Sequence, residues 1–198
     1  AGAGIGSNTR LLCNSSFRRW VCLEPDANLA DRLSSIIKSD ERLAQCEVIN
    51  GRINDIPACE SFDTILYLDV LEHIENDRAE IDHAIERLIP GGTIIILSPA
   101  HSCLFSAFDS AIGHYRRYNE KMLRELVPAH LELLNMEYLD SFGLLASLGN
   151  RYILKSQIPS KIQIKIWDSL QIPCSRILDK FLGYRLGKSI LAVWRYLG

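Results

Sequence analysis

The chain has 198 residues, 47% hydrophobic and 23% charged, enough for one well-cored domain spanning 1–198 and too few to require two. Its formal net charge of -2, with Arg18-Arg19 and Arg116-Arg117 as isolated basic pairs, gives no basic face for a phosphate backbone, so no nucleic acid is expected as a partner. The six cysteines form no CxxC pair, so no metal is expected and they read as reduced thiols of a cytoplasmic protein; apolar runs such as 93–97 fall far short of the ~20 residues of a membrane-spanning helix.

The chain opens AGAGIGSNTR, with glycine at positions 2, 4 and 6. Glycine admits positive φ and, lacking Cβ, lets a ligand approach the backbone closely. The amphipathic TRLLCNS that follows can start a helix, so this stretch reads either as a strand-to-helix turn under a nucleotide-like ligand or as a plain tight corner. The run WVCLE (20–24) is the first apolar strand candidate, and its last residue, Glu24, stands where a carboxylate would meet the ribose hydroxyls of an adenosine ligand. A helix-start charge is the alternative role for Glu24.

Asp26 can cap a helix whose apolar positions Leu29, Leu33, Ile36 and Ile37 recur at helical spacing. Strands are expected at CEVING (46–51), FDTILYLD (62–69) and GTIIILSP (92–99). Between the last two, Asn76 or Asp77 caps a helix bearing Ile81, Ile85 and Leu88 that ends at Pro90-Gly91-Gly92. Asn119 caps NEKMLRELV, and 131–143 and 189–197 read as two final strands. The stretch 144–188, with Ile158-Pro159, Ile172-Pro173 and Trp167, reads as a helical insertion or lid. Apolar runs alternating with amphipathic ones predict an α/β fold, a doubly wound and mostly parallel sheet covered by helices.

The spacing GxGxG, the acidic end of WVCLE, FDTILYLDVLEHIEND and LIPGGTIIILSP together resemble class I S-adenosylmethionine (SAM)-dependent methyltransferases over about residues 1 to 100. The resemblance implies a Rossmann-like sheet with an antiparallel C-terminal strand, SAM as cofactor, and methyl transfer to an oxygen or nitrogen of a small or carrier-linked acceptor. It places Gly2, Ala3 and Gly4 against the methionine part of SAM, Glu24 on the ribose, Pro25, Arg52 and Ile53 beside the adenine, and Leu68 and Asp69 on the methionyl side. Arg52 stands where the family commonly has an acidic residue. In the family a first strand precedes the glycine turn at the centre of the sheet, so a strand upstream of Ala1 is expected. Two competing readings are a nicotinamide-dependent oxidoreductase, disfavoured because Gly6 falls one residue early for GxGxxG, and a non-catalytic SAM-binding partner subunit.

Acceptor-side residues are expected after the fourth strand, in 99–123. GHYRRY resembles the GH-x-R-x-Y stretch of a bacterial subgroup active on sugars, lipid-linked molecules and natural products. His114 and His101 are the base candidates, because imidazole alone titrates near neutrality unperturbed. Tyr115, Arg116 and Arg117 are the substrate-binding candidates, the two arginines either for an anionic group or simply solvated or paired with acidic neighbours. His73 reads as a helix-start residue near the cofactor and Glu72 as a local structural group. For 144–188 the roles open are a pocket cover, a homodimer surface, or peripheral membrane contact through Lys155, Lys161 and Lys165; ordinary core packing of its apolar stripe ranks above all three.

Overall fold

The computed structural model describes residues 1–14, 16–149 and 172–198. Its glycine bend leads into helix α1 (Ser7–Leu12), then strand β1 (Trp20–Glu24) and helix α2 (Ala27–Ser39). Asp26 caps α2 as its side chain accepts from the Leu29 amide at 3.0 Å, and Ala30 and Leu33 carry the buried face of the helix. Strand β2 (Cys46–Asn50) pairs in parallel with β1, Trp20 opposite Cys46 through Glu24 opposite Asn50.

Strand β3 (Phe62–Leu68) is followed by a single 3-10 turn (Leu71–His73) and helix α3 (Asp77–Ile85), capped by Asn76. Strand β4 (Leu88–Pro99) runs parallel to β3. Helix α3 stops at Ile85, before the Pro90-Gly91-Gly92 turn expected to end it, and that turn lies inside β4 as a register shift. Phe62 pairs with Leu88 and Thr64 with Thr93, so Asp63 alone stands opposite Ile89 through Gly92. Proline has no amide to donate and Gly91 takes φ 83, which is why the ladder tolerates them only at a bulge.

Helices α4 (Ala107–Ala111) and α5 (Glu120–Leu126, capped by Asn119) lead to β5 (Leu131–Leu139). The expected strand 131–143 is shorter than the sequence reading. Asp140 turns the chain at φ 66 and Ser141–Gly149 forms helix α6. A carboxylate distant in sequence makes that possible, because Asp179 accepts from the Asp140 amide, the Ser141 amide and the Ser141 hydroxyl, satisfying the helix start. Asp179 belongs to helix α7 (Ile172–Phe181), which packs on α6. The expected insertion is helical at both of these ends; Lys155, Ile158, Pro159, Lys161, Lys165 and Trp167 lie outside the described residues. No described helix is long and apolar enough to cross a membrane.

Strand β6 (Ser189–Tyr196) closes the larger sheet, antiparallel to both β4 and β5, giving the order β3-β4-β6-β5. This is the antiparallel C-terminal strand expected from the sequence. The core sits on this sheet, where Tyr67, Ile94, Ile96, Ile190 and Ala192 are fully buried, each large apolar side chain worth about 1.5–3 kcal/mol on burial. Strands β1 and β3 do not pair with each other. A cavity of about 650 Å³ separates them, walled by Trp20, Cys22, Phe62, Thr64 and Leu66 of the two strand edges. At its end the first residues bridge the two sheets, the Ala1 nitrogen donating to the Leu66 carbonyl and the Ala3 amide to the Leu23 carbonyl, both at 2.8 Å.

Candidate functional site

The bend at the C-terminal ends of β1 and β3 uses its three glycines differently, although all take positive φ (61, 54 and 81). A Cβ on Gly2 would lie 2.6 Å from a Val70 methyl, and one on Gly6 2.4 Å from a Leu33 methyl of α2. Those two glycines let the bend pack against its own protein. A Cβ on Gly4 would meet nothing within 4 Å, so there the backbone is bare toward open space. Gly6 thus performs the close-packing work expected of a third glycine, one position early.

Glu24, 6% exposed at the end of β1, binds the bend from below. Its Oε2 accepts from the Gly4 amide at 2.7 Å and its Oε1 from the Asp26 amide at 3.0 Å. Each oxygen keeps acceptor capacity, so the carboxylate can still receive two hydroxyl donors. The Asn50 side chain donates to the carbonyls of Glu24 and Pro25, fixing the strand end, and leaves Pro25 exposed beside it. Arg52 is exposed with its amide on Asp55, whereas the Ile53 side chain, 2% exposed, belongs to the core and leaves only its backbone for a ligand. Leu68 ends β3; Asp69 turns the chain at φ 56, its amide held by the Leu97 carbonyl at 2.8 Å, and its side chain is exposed. Glu24, Pro25, Leu68 and Asp69 therefore flank the bend at the ends of two neighbouring strands. Neither Glu24 nor Asp69 lines the cavity between the sheets, whereas Gly2, Ala3 and Leu68 do.

Beyond Asp69 the two sequence motifs of the acceptor side are stapled together. The Tyr115 amide donates to the Glu72 carbonyl at 2.7 Å, the Arg116 guanidinium to the Glu75 carbonyl at 2.7 Å, and the buried Tyr118 hydroxyl to Asp77 at 2.7 Å and the Leu71 carbonyl at 3.2 Å. GHYRRY thus lies along LEHIEND. Burial, with the Asp77 charge beside it, pushes the Tyr118 phenol well above its usual range, so it stays a donor.

Behind this seam Asp109, 1% exposed, organises three partners. Its Oδ2 accepts from the Ser106 amide (2.8 Å) and hydroxyl (2.7 Å), and its Oδ1 from Arg117 (2.8 Å) and the His114 Nδ1 (3.1 Å). Burial alone would raise the Asp109 carboxyl, but the Ser106 hydrogen bonds and the Arg117 guanidinium outweigh it and hold the pKa below the usual range. For His114 burial and the neighbouring His73 outweigh Asp109 and lower the imidazole pKa, so the ring is neutral near pH 7. The His73 and His114 rings meet edge to face with centroids 4.5 Å apart. Glu72 is fully buried: its Oε2 accepts from Ser98 at 3.2 Å, its Oε1 has no hydrogen-bond partner among the described residues, and burial raises its carboxyl to about 7.

The arginines do not stand free for an anionic acceptor. Arg117 is 9% exposed and engaged by Asp109, and Arg116 pairs with Asp77 at 2.5 Å while lying over the Tyr115 ring. Of the substrate-binding candidates Tyr115, 53% exposed, is the most open to solvent. His101 takes φ 65, its Nε2 lies 2.9 Å from the Gly187 carbonyl, and its ring stacks on Tyr138. The His114 Nε2 makes no hydrogen bond among the described residues. Sequence alone does not join Glu72 or His73 to His114, because the only signal is a histidine in each of two motifs about forty positions apart.

Residues 1–94 match the family model described as a methyltransferase domain, which takes in the bend, the β1-β2 pair and the LEH turn. A relative from Mycolicibacterium smegmatis, named as a probable S-adenosylmethionine-dependent methyltransferase, is 24% identical over 85% of this chain, and the chain spans 65% of that relative's length. Among solved structures, the YcgJ protein from Bacillus subtilis superposes with a TM-score of 0.66 at 14% identity, covering 100% of this chain and 90% of that one. The N-methyltransferase NodS from Bradyrhizobium japonicum, in complex with S-adenosyl-L-homocysteine, gives a TM-score of 0.59 at 16% identity, covering 100% and 76%. These likenesses establish the Rossmann-like fold of methyltransferase structures.

Proposed function

We propose that the chain is a SAM-dependent methyltransferase whose cofactor lies on Gly4, with its ribose on Glu24. The observation that carries this reading is the pairing of bare backbone at Gly4 with a buried carboxylate fixed to the Gly4 amide and still able to accept two hydroxyls. The methyltransferase-domain match over residues 1–94 and the SAM-dependent relative support it. Gly2, Ala3, Leu68 and Asp69 would border the methionyl part; Pro25, Arg52 and the Ile53 backbone would border the adenine.

When bound, the cofactor supplies a methyl group on a sulfonium, open to in-line displacement. The protein's share is to align an acceptor and exclude water, worth far more than any single proton transfer for a good nucleophile. The bend and Glu24 fix one partner; the seam between LEH and GHYRRY, one turn beyond the Val70 that packs on Gly2, offers the other side. Of the two base candidates, His114 fits action on the acceptor, because Asp109 holds its Nδ1 and leaves Nε2 without a hydrogen-bond partner among the described residues, whereas the Nε2 of His101 meets a backbone carbonyl. The acceptor read here is a small or carrier-linked molecule reacting at oxygen or nitrogen, and the domain is read as a single unit with α6 and α7 beside it.

Calorimetry with SAM and S-adenosylhomocysteine, set against NAD, tests the assignment. Binding of the adenosyl-sulfur compounds that falls in Glu24→Ala is expected. Stronger binding of NAD, or unchanged affinity in Glu24→Ala, overturns it.

A further inference from the structure

A second site, independent of the glycine bend, is built where the two motifs meet. Glu72, His73 and His114 each offer one ligand atom, a carboxylate oxygen and two ring nitrogens, and all three lie within 4.8 Å of one another. Their supports are already in place. Asp109 occupies the His114 Nδ1, the carboxylate-imidazole arrangement that fixes a ligating histidine's tautomer and leaves Nε2 for the ion. Ser98 holds one oxygen of Glu72, and the Tyr115 amide pins the turn that carries Glu72 and His73.

The other Glu72 oxygen gives the second indication. It is fully buried without a partner among the described residues, and a buried carboxylate left so is costly unless a cation or donor compensates it. His73 is exposed, so the cluster opens to solvent on one side and an ion has a path in.

We propose that Glu72, His73 and His114 bind a divalent first-row transition-metal ion of the zinc, cobalt or iron(II) class. Two imidazoles and one carboxylate suit these ions, whereas magnesium and calcium prefer all-oxygen surroundings. Three protein ligands leave at least one coordination position open, where an acceptor oxygen can be polarised and its proton acidified. On this reading His114 acts on the acceptor as a ligand of the ion, not as a free base, which deepens the acceptor half of the proposed function. Metal binding itself requires no SAM, so the two assignments fail separately.

The test uses the full chain freed of metal by chelator and titrated with Co2+ alone, read by visible absorption and calorimetry. One equivalent should bind with the d-d bands of nitrogen and oxygen ligands. His73→Asn and His114→Ala should each weaken it more than about tenfold, at least the effect of losing an outer partner, with circular dichroism unchanged. S-adenosylhomocysteine binding in chelator should persist. No binding at stoichiometric cobalt overturns the proposal, as does binding unaffected by either folded variant. A sulfur-to-cobalt charge-transfer band also overturns it, by placing the ion on thiols such as Cys13 and Cys46, whose sulfurs lie 3.3 Å apart.

Discussion

The glycine bend and the LEH-GHYRRY seam are neighbours at the ends of the strands, yet they are made in opposite ways. The bend is made of backbone: its chemistry lies in where side chains are missing and in two amides that hold one carboxylate. The seam is made of side chains: a buried aspartate holding an arginine and a histidine, beside a buried glutamate with one oxygen unpartnered. A backbone site tolerates no added atoms. A side-chain site tolerates none of its charges being removed singly.

The largest effect should come from removing the seam's organiser. Asp109→Ala leaves Arg117 buried and unpaired, and a loss of about 3–5 kcal/mol in unfolding free energy is expected in urea titration. A loss below 1 kcal/mol would show that the seam is not held by that charge. Gly6→Val, forced against Leu33 at positive φ, should cost about 2–4 kcal/mol from overpacking and backbone strain together, measured the same way.

Gly4→Ala sharpens the contrast, because no atom stands near the added methyl. Stability should fall by only about 1 kcal/mol from the left-handed backbone, while affinity for S-adenosylhomocysteine should fall about tenfold or more. Equal losses in Gly6→Val and Gly4→Ala would erase the distinction between packing and ligand glycines. Glu24→Gln retains the shape but loses the charge and one acceptor pattern, and about tenfold weaker binding in calorimetry is expected from one charge-assisted hydrogen bond.

The smallest effect concerns chemistry outside both regions. Burial, and then Cys13 beside it, raises the Cys46 thiol to about 12, so at pH 8 it carries almost no thiolate. Iodoacetamide at pH 8 should label the exposed Cys59 well before Cys46, as read by peptide mass spectrometry. Equal labelling would contradict that shielding.

The contrast in construction also explains what could be read from the chain. Strands β1 to β3 and β6 fall at or within a residue of where apolar runs predict them, because the apolar positions of a strand lie within a few consecutive residues. The bend and Glu24 were legible for a similar reason: glycine spacing and one acidic strand end are local signals. The end of β5 was not. DSFG reads as a continuing strand until Asp179, from another helix, takes over its amides. In sequence Arg116 and Arg117 read either as holders of an anion or as solvated or paired cations, and only Asp77 and Asp109 show them to be paired.

What the sequence determined by itself was the α/β alternation, the backbone freedom at Gly2, Gly4 and Gly6, and a carboxylate at the end of β1. Tertiary structure alone decided which glycine faces open space, which histidine keeps a free nitrogen, and that Glu72 and His73 meet His114. The reason is range. Backbone propensity and burial period are set by residues a few positions apart, whereas the partner of a buried charge is chosen by the packing of distant segments, which no local pattern encodes.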